Sequence, residues 1–140
     1  MKTEIEIRSY KPADMEAVIC LWQECGLVAP QNDPVKDIEM KLRVNPEWFL
    51  VGTLAGKIIA TCMVGYEGHR GWINYLAVSP NSQRLGIARK IMARAEAVLR
   101  DFGCAKINLQ VRTSNTGVVD FYRAIGFELD NVVSLGKRLS

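Results

Sequence analysis

The stretch Tyr75-Leu-Ala-Val-Ser-Pro-Asn-Ser-Gln-Arg-Leu-Gly-Ile-Ala-Arg-Lys-Ile-Met92 decides how the rest of the chain is read. An apolar strand ends at Val78, a polar turn runs through Pro80, and Gly86 opens a long helix. From Ile87 onward Ala88, Ile91, Met92, Ala95, Val98, Leu99 and Phe102 recur at three- and four-residue steps, the pattern of an amphipathic helix. The first turn of such a helix presents backbone N–H groups without intrahelical acceptors, at the positive end of the helix dipole. Gly86 and Ala88 lack bulk, so a ligand can come close, and the chemistry suits a phosphate anion. A lone glycine at a strand-to-helix junction is equally well a plain turn residue. The stretch lacks the three glycines and the acidic residue about 20 positions on that mark a dinucleotide fingerprint, and the Gly-Lys-Ser/Thr of a P-loop.

At 140 residues the chain suits one domain, residues 1–140, large enough to bury a core. Half its residues are apolar and a quarter charged, as in ordinary globular proteins. A net charge of +3 is too small to argue for nucleic acid, and none is expected as a partner. No apolar run approaches a membrane span, so no membrane is expected either. The first residues, Met-Lys-Thr-Glu-Ile-Glu-Ile-Arg, hold no signal-peptide core, and a cytoplasmic location is the expectation. The four cysteines, Cys20, Cys25, Cys62 and Cys104, form no C-x-x-C pair, and His69 is the single histidine. They read as reduced core residues, and no metal is expected.

Taken in order, Glu4–Arg8 alternates as a half-buried strand. Pro12 and Asp14 open a helix with Met15, Val18, Ile19 and Trp22 on one face, ending at Gly26. Asn32 or Asp33 caps a second helix that begins at Pro34, carries Val35, Ile38 and Leu42 inward and stops before Pro46. Trp48–Leu54 and Lys57–Tyr66 are strands joined by an Ala55-Gly56 hairpin. After the turn Glu67-Gly-His-Arg-Gly71, Trp72–Val78 returns as a further strand. Gly103 ends the long helix, and Lys106–Val111 is a strand parallel to Trp72–Val78 by its helical crossover. A short helix over Gly117–Ile125 follows, and the tail, Phe127–Leu139, is apolar enough for one or two closing strands. The edge around Val132–Leu139 offers pairing to a second copy, and both monomer and homodimer stay open.

Two motifs resemble one known family. Gln83-x-x-Gly86-x-Ala88 after Leu76-Ala77-Val78 is similar to the Q/R-x-x-G-x-G/A acyl-CoA signature of the GCN5-related N-acetyltransferases (the GNAT superfamily). Asn115, Phe121, Tyr122, Gly126 and Phe127 match the later motif N-x-x-A-x-x-F-Y-x-x-x-G-F, with Val118 standing where the family has alanine. The motifs fall in the family's order with the helix-strand unit between them. Gly68-His-Arg-Gly71 and the ending Ser134-Leu-Gly-Lys-Arg-Leu139 further resemble small bacterial YpeA-type acetyltransferases.

The resemblance implies an α+β fold: a mixed, mostly antiparallel sheet of six to seven strands, about four helices, and a splayed parallel strand pair at the acyl-CoA site. It implies acetyl-CoA as co-substrate, held by Leu76, Ala77, Val78, Gln83, Arg84, Leu85, Gly86, Ile87, Ala88, Arg89 and Asn115. It makes Tyr122 the general acid toward the leaving thiolate, and places Glu67 where some relatives keep a base carboxylate. His69 is a second candidate base by its ordinary pKa, although both residues sit in a glycine-bracketed turn. A water chain to bulk solvent is the other route for the proton.

The expected activity is N-acetyl transfer to a primary amine by direct attack in a ternary complex. No cysteine has an obvious histidine partner, which disfavours a covalent route. The acceptor is a small-molecule amine, with Glu24, Asp37 and Glu39 as candidate contacts, or a protein amine. The alternative function is a non-catalytic acyl-CoA sensor or interaction module of the same fold. A toxin acting on charged tRNA calls for a more basic surface than this one.

Overall fold

In the computed structural model, residues 4–83 and 85–140 are described; Arg84, one of the expected phosphate ligands, lies outside them. Its contacts divide the chain into two compact units, Met1–Gln110 and Val111–Ser140.

The first unit holds five strands in sequence order across one sheet: β1 (Glu6–Ser9), β2 (Phe49–Leu54), β3 (Lys57–Tyr66), β4 (Gly71–Val78) and β5 (Ile107–Leu109). The first four pair antiparallel, and β5 lies parallel to β4. Ala55 and Gly56 both take positive φ, 52° and 80°, so the β2–β3 hairpin turns tightly with the hand that strand twist favours.

Side-chain alternation splits the sheet into two faces. On one, Phe49, Val51, Met63 and Ala77 pack with Val18, Leu21 and Trp22 of α1 (Met15–Glu24) and with Ile38 of α2 (Pro34–Lys41). The other face meets α3 (Ile87–Phe102), whose Leu99 lies against Gly71 and whose Phe102 ring sits edge-on to Tyr66 and Trp48. Of the residues expected on the inner face of α3, Ile87, Ile91, Met92, Ala95 and Leu99 are buried. Phe102 remains 55 % exposed, because its partners lie at the rim of the sheet.

The two caps expected for α2 take different tasks. Asp33 accepts from the N–H groups of Val35 and Lys36, while Asn32 accepts from Ala29 N and donates to the Tyr75 hydroxyl. Val35 is exposed rather than inward. The rotation of α2 is set by Ile38 in the core, Asp37 on Tyr75, and Lys41, whose Nζ donates to Val64 O at 2.5 Å. Those three share a stripe that leaves Val35 to one side.

In the second unit, α4 (Thr116–Ala124) is followed by an αL residue, Gly126, and then by chain without strands. The expectation of six to seven strands is thereby corrected to five among the described residues, and no closing strand forms in the tail. Leu129, Val132, Val133, Leu135 and Leu139 are all strongly exposed there. Apolar content is only a tendency toward strand; without a ladder partner it makes none.

Candidate active site

The feature of β4 that matters most is where its partners stop. Its pairing with β5 covers Gly71, Trp72 and Ile73 alone, against Ile107, Asn108 and Leu109. From Asn74 to Val78 the β5-side edge of β4 has no strand beside it among the described residues. Such an edge offers main-chain groups to an extended, amide-rich ligand.

On its other edge β4 is bulged. Thr61 pairs with Ala77 and Met63 with Asn74, so Tyr75 and Leu76 together oppose Cys62. Tyr75 takes φ 52°, a left-handed conformation uncommon for a bulky residue. Four contacts hold it there. Its ring stacks on Trp22 at 3.8 Å between centroids, its hydroxyl meets Asp37 and Asn32, and its carbonyl accepts from Thr61 Oγ1 at 2.8 Å. Thr61 Oγ1 in turn accepts from Trp22 Nε1 at 2.9 Å. Burial, aided by the Asp37 carboxylate, pushes the Tyr75 phenol up to about 12.

Beyond β4 a single turn, Pro80–Ser82, leads to Gln83, whose Nε2 reaches Val78 O at 3.4 Å. The same carbonyl accepts from the Cys25 thiol at 3.3 Å. Gly86 is the N-cap of α3 at φ 74°, and no side chain caps the helix. The first intrahelical bond runs from Lys90 N to Gly86 O, so the N–H groups of Ile87, Ala88 and Arg89 precede it. A Cβ built on Gly86 would meet nothing within 4 Å, which leaves room for a ligand at that end. Leu85 and Arg89 are exposed, Ala88 is half-buried and Ile87 is buried. The expected acyl-CoA residues of the first unit, Leu76 to Val78 and Gln83 to Arg89 apart from Arg84, thus lie along one continuous strand-turn-helix.

Asn115 and Tyr122 belong to the second unit. Asn115 occupies the N-cap position of α4 with no capping hydrogen bond from its side chain. Tyr122 is buried, with the rings of Phe121 and Phe127 edge-on at 5.2 and 5.4 Å. The motif's aromatic residues therefore form a cluster, and Gly126, at φ 104°, supplies the reversal that brings Phe127 back onto Tyr122.

Glu67 is exposed at the end of β3 and accepts from the backbone N–H groups of His69, at 2.6 Å, and Arg70. The Arg70 N–H, followed by that of His69, holds its carboxyl below the usual range. Of the candidate acceptor contacts, Asp37 is engaged by Tyr75, and Glu24 lines a cleft of about 220 Å³ with Cys20, Lys57 and Ser79.

Thr61, Trp22 and Tyr75 belong to no motif, and the sequence pattern gives them no role beyond strand and core. One signal was available: Thr61 is a lone hydroxyl inside the apolar run Ile58-Ile-Ala-Thr-Cys-Met-Val64. A buried hydroxyl in a central strand needs partners. Among the described residues no cluster of three histidine, cysteine, aspartate or glutamate side chains is arranged to hold a metal ion.

Comparison with known proteins agrees with this geometry. The model of the acetyltransferase (GNAT) family matches residues 15–127. An acetyltransferase of Sodalis glossinidius is 46% identical over 136 residues, covering 96% of both chains. One from Pectobacterium atrosepticum is 44% identical over 135 residues, again covering 96% of each. Among solved structures, Ard1 from Thermoplasma volcanium superposes with a TM-score of 0.81 at 24% identity, covering 90% of this chain and 84% of its own. Aminoglycoside N-acetyltransferase AAC(6')-Iy in complex with CoA gives 0.79 at 17% identity, covering 100% and 98%. The matched segment contains both motifs and the β4–α3 junction, and the chain belongs to the acetyltransferase (GNAT) family.

Proposed function

We propose that this acetyltransferase transfers the acetyl group of acetyl-CoA to a primary amine by direct attack in a ternary complex. The observation that carries the reading is the open β4 edge from Asn74 to Val78, running straight into the uncapped N-terminus of α3. The β4 main chain receives the amides of the pantetheine arm, and the N–H groups of Ile87, Ala88 and Arg89 take the pyrophosphate. Gln83, Arg84, Leu85, Gly86 and Asn115 complete the binding set. Acetyl-CoA supplies an activated acyl carbon as its thioester.

A β4 N–H polarises the thioester carbonyl, lowering the barrier to attack as charge gathers on oxygen. The amine nitrogen bonds to the acyl carbon, the C–S bond breaks, and Tyr122 donates its phenolic proton to the departing sulfur. The rings of Phe121 and Phe127 pack edge-on against the Tyr122 ring and fix its orientation. Glu67 is the candidate base, yet its carboxylate already serves two N–H donors, and its lowered pKa makes it a weak acceptor. We therefore assign the amine proton to solvent water, with Glu67 holding the turn. The acceptor is a small-molecule or protein amine, in the cytoplasm, with the enzyme as monomer or homodimer.

The test is calorimetric titration of acetyl-CoA against free adenine nucleotides, using the wild type, Gly86→Glu and Gly86→Asn. Asparagine tolerates the left-handed backbone and separates strain from charge. Binding by the wild type and the asparagine variant but not by the glutamate variant is the expected result. Equal binding by all three would refute the site. Screening amines for CoA release then tests Tyr122→Phe, which should retain acetyl-CoA affinity and lose about 10² or more in turnover. Tight binding with no turnover on any amine would favour a sensor instead.

A further inference from the structure

Thr61 is fully buried, and its hydroxyl has one acceptor and one donor role filled. It receives the Trp22 indole N–H and gives its own proton to Tyr75 O. The second of these contacts has a geometric consequence. In a trans peptide the C=O and the following N–H point in opposite directions. With Tyr75 O drawn toward Thr61, on the β3 side of the bulge, the N–H of Leu76 must point away from β3. That is the side on which β4 has lost its strand partner beyond Ile73.

An ordinary ladder would not deliver this arrangement. The bulge places two residues against Cys62, and Tyr75 adopts a left-handed φ that must be held by its surroundings. The ring stack on Trp22 holds the side chain, and the Thr61 hydrogen bond holds the carbonyl of the peptide plane. Trp22 closes the chain of donors, since its N–H orients the Thr61 hydroxyl so that the hydroxyl hydrogen goes to Tyr75 O.

We propose that Thr61, oriented by Trp22, is a positioning residue for acetyl transfer: it holds the Tyr75–Leu76 peptide so that Leu76 N–H is the donor to the thioester carbonyl. The proposal rests on the acetyl-CoA reading above and adds which N–H acts and what aims it. Thr61 touches no substrate. Its effect passes through one peptide plane, and positioning errors of this kind weaken a preorganised donor far more than they weaken overall binding.

The experiment reads the carbonyl rather than turnover, so it needs no acceptor. Acetyl-CoA labelled with ¹³C at the acetyl carbonyl is bound to the wild type, Thr61→Ser and Thr61→Val, and its C=O stretch is compared with the free thioester. A shift to lower frequency is expected with the wild type and with serine, which keeps the hydroxyl. With valine the stretch should return toward the free value, while calorimetric affinity for CoA stays within about threefold, because the rest of the site is untouched. An undiminished shift in folded Thr61→Val would overturn the proposal. Should the valine variant not fold, the wild type alone decides through the Leu76 amide proton. It should move downfield with acetyl-CoA and not with CoA, and equal movement with both would sink the idea. Absence of acetyl-CoA binding by the wild type would instead reject the underlying site, a result the calorimetry distinguishes.

Discussion

The Tyr75 hydroxyl donates to Asp37 Oδ2 at 2.5 Å, tying the bulged residue of β4 to the helix that α1 hands on to. Asn32 adds a donor to the same hydroxyl at 3.0 Å, so the segment after α1 grips the strand through one phenol. Tyr75→Phe should lower stability by about 1–2 kcal/mol, the range for a hydrogen bond to a charged partner that is only partly buried. Asp37→Asn should cost less, and the double variant less than the sum of the two, since they share one bond. Urea unfolding of the four proteins measures this.

That bond also sets an alkaline response. Burial first, and the Asp37 carboxylate second, raise the phenol from 10.0 to about 12. A folded pKa above the unfolded one means that folding favours the neutral phenol. The stability it contributes is complete below about pH 10 and is lost as pH rises toward 12. The urea midpoint should fall over that window in the wild type and fall less steeply in Tyr75→Phe. Some slope will persist, because burial also raises Tyr10.

At the acid end the sign reverses. Arg8 contacts Asp14 through two N–H donors, at 2.8 and 3.0 Å, and Lys11 N donates to the same carboxylate. The Arg8 hydrogen bond, outweighing burial, holds the Asp14 carboxyl below its ordinary value of 3.8. Its contribution is present above that value and disappears as pH falls through the folded pKa. Asp14→Asn should be less stable at pH 7 and should show a flatter loss of stability between pH 5 and 3, read by urea midpoints across that range.

Glycine substitutions separate packing from backbone freedom. A Cβ on Gly71 would lie 2.6 Å from Leu99 Cδ1, inside the β4–α3 interface. Gly71→Ala should therefore destabilise by about 1–3 kcal/mol through overpacking. Gly117, in the first turn of α4, has nothing within 4 Å and no positive φ. There alanine should be neutral or stabilise by up to about 1 kcal/mol. Thermal melts of the two variants should move in opposite directions or, at minimum, by clearly different amounts.

The thiols differ enough to be titrated apart. Cys20 is exposed, whereas Cys62 is fully buried and its thiol is pushed up to about 12. Cys25 is raised chiefly by burial and donates to Val78 O. Ellman's reagent at pH 8 should label Cys20 quickly and Cys62 only on unfolding. Rapid labelling of Cys62 in the folded protein would contradict the core described above.

Much of this architecture is legible without coordinates, for a local reason. The α3 stripe from Ile87 to Leu99, the Ala55-Gly56 hairpin and the Gly86 and Gly103 helix ends each depend on residues close together in the chain. Helix period, turn chemistry and left-handed glycines act over a few positions, and so they survive in the sequence. The two motifs belong to the same class, being runs in which identity and spacing are the signal.

The tail and α2 show where that logic ends. Phe127–Leu139 has the composition of a strand and forms none, because pairing requires a partner edge and composition cannot supply one. Val35 has the right spacing from Ile38, yet Asp37 and Lys41 turn the helix toward Tyr75 and Val64 and leave it exposed. From the sequence alone come the fold class, the family motifs and the residues of the strand-turn-helix proposed to hold acyl-CoA. The tertiary structure alone decides where β5 stops, that β4 is bulged at Tyr75 and Leu76, and that Thr61 and Trp22 aim the peptide between them. Those two contacts join positions 14 and 39 residues apart, and no local preference encodes the direction in which such a peptide plane will face.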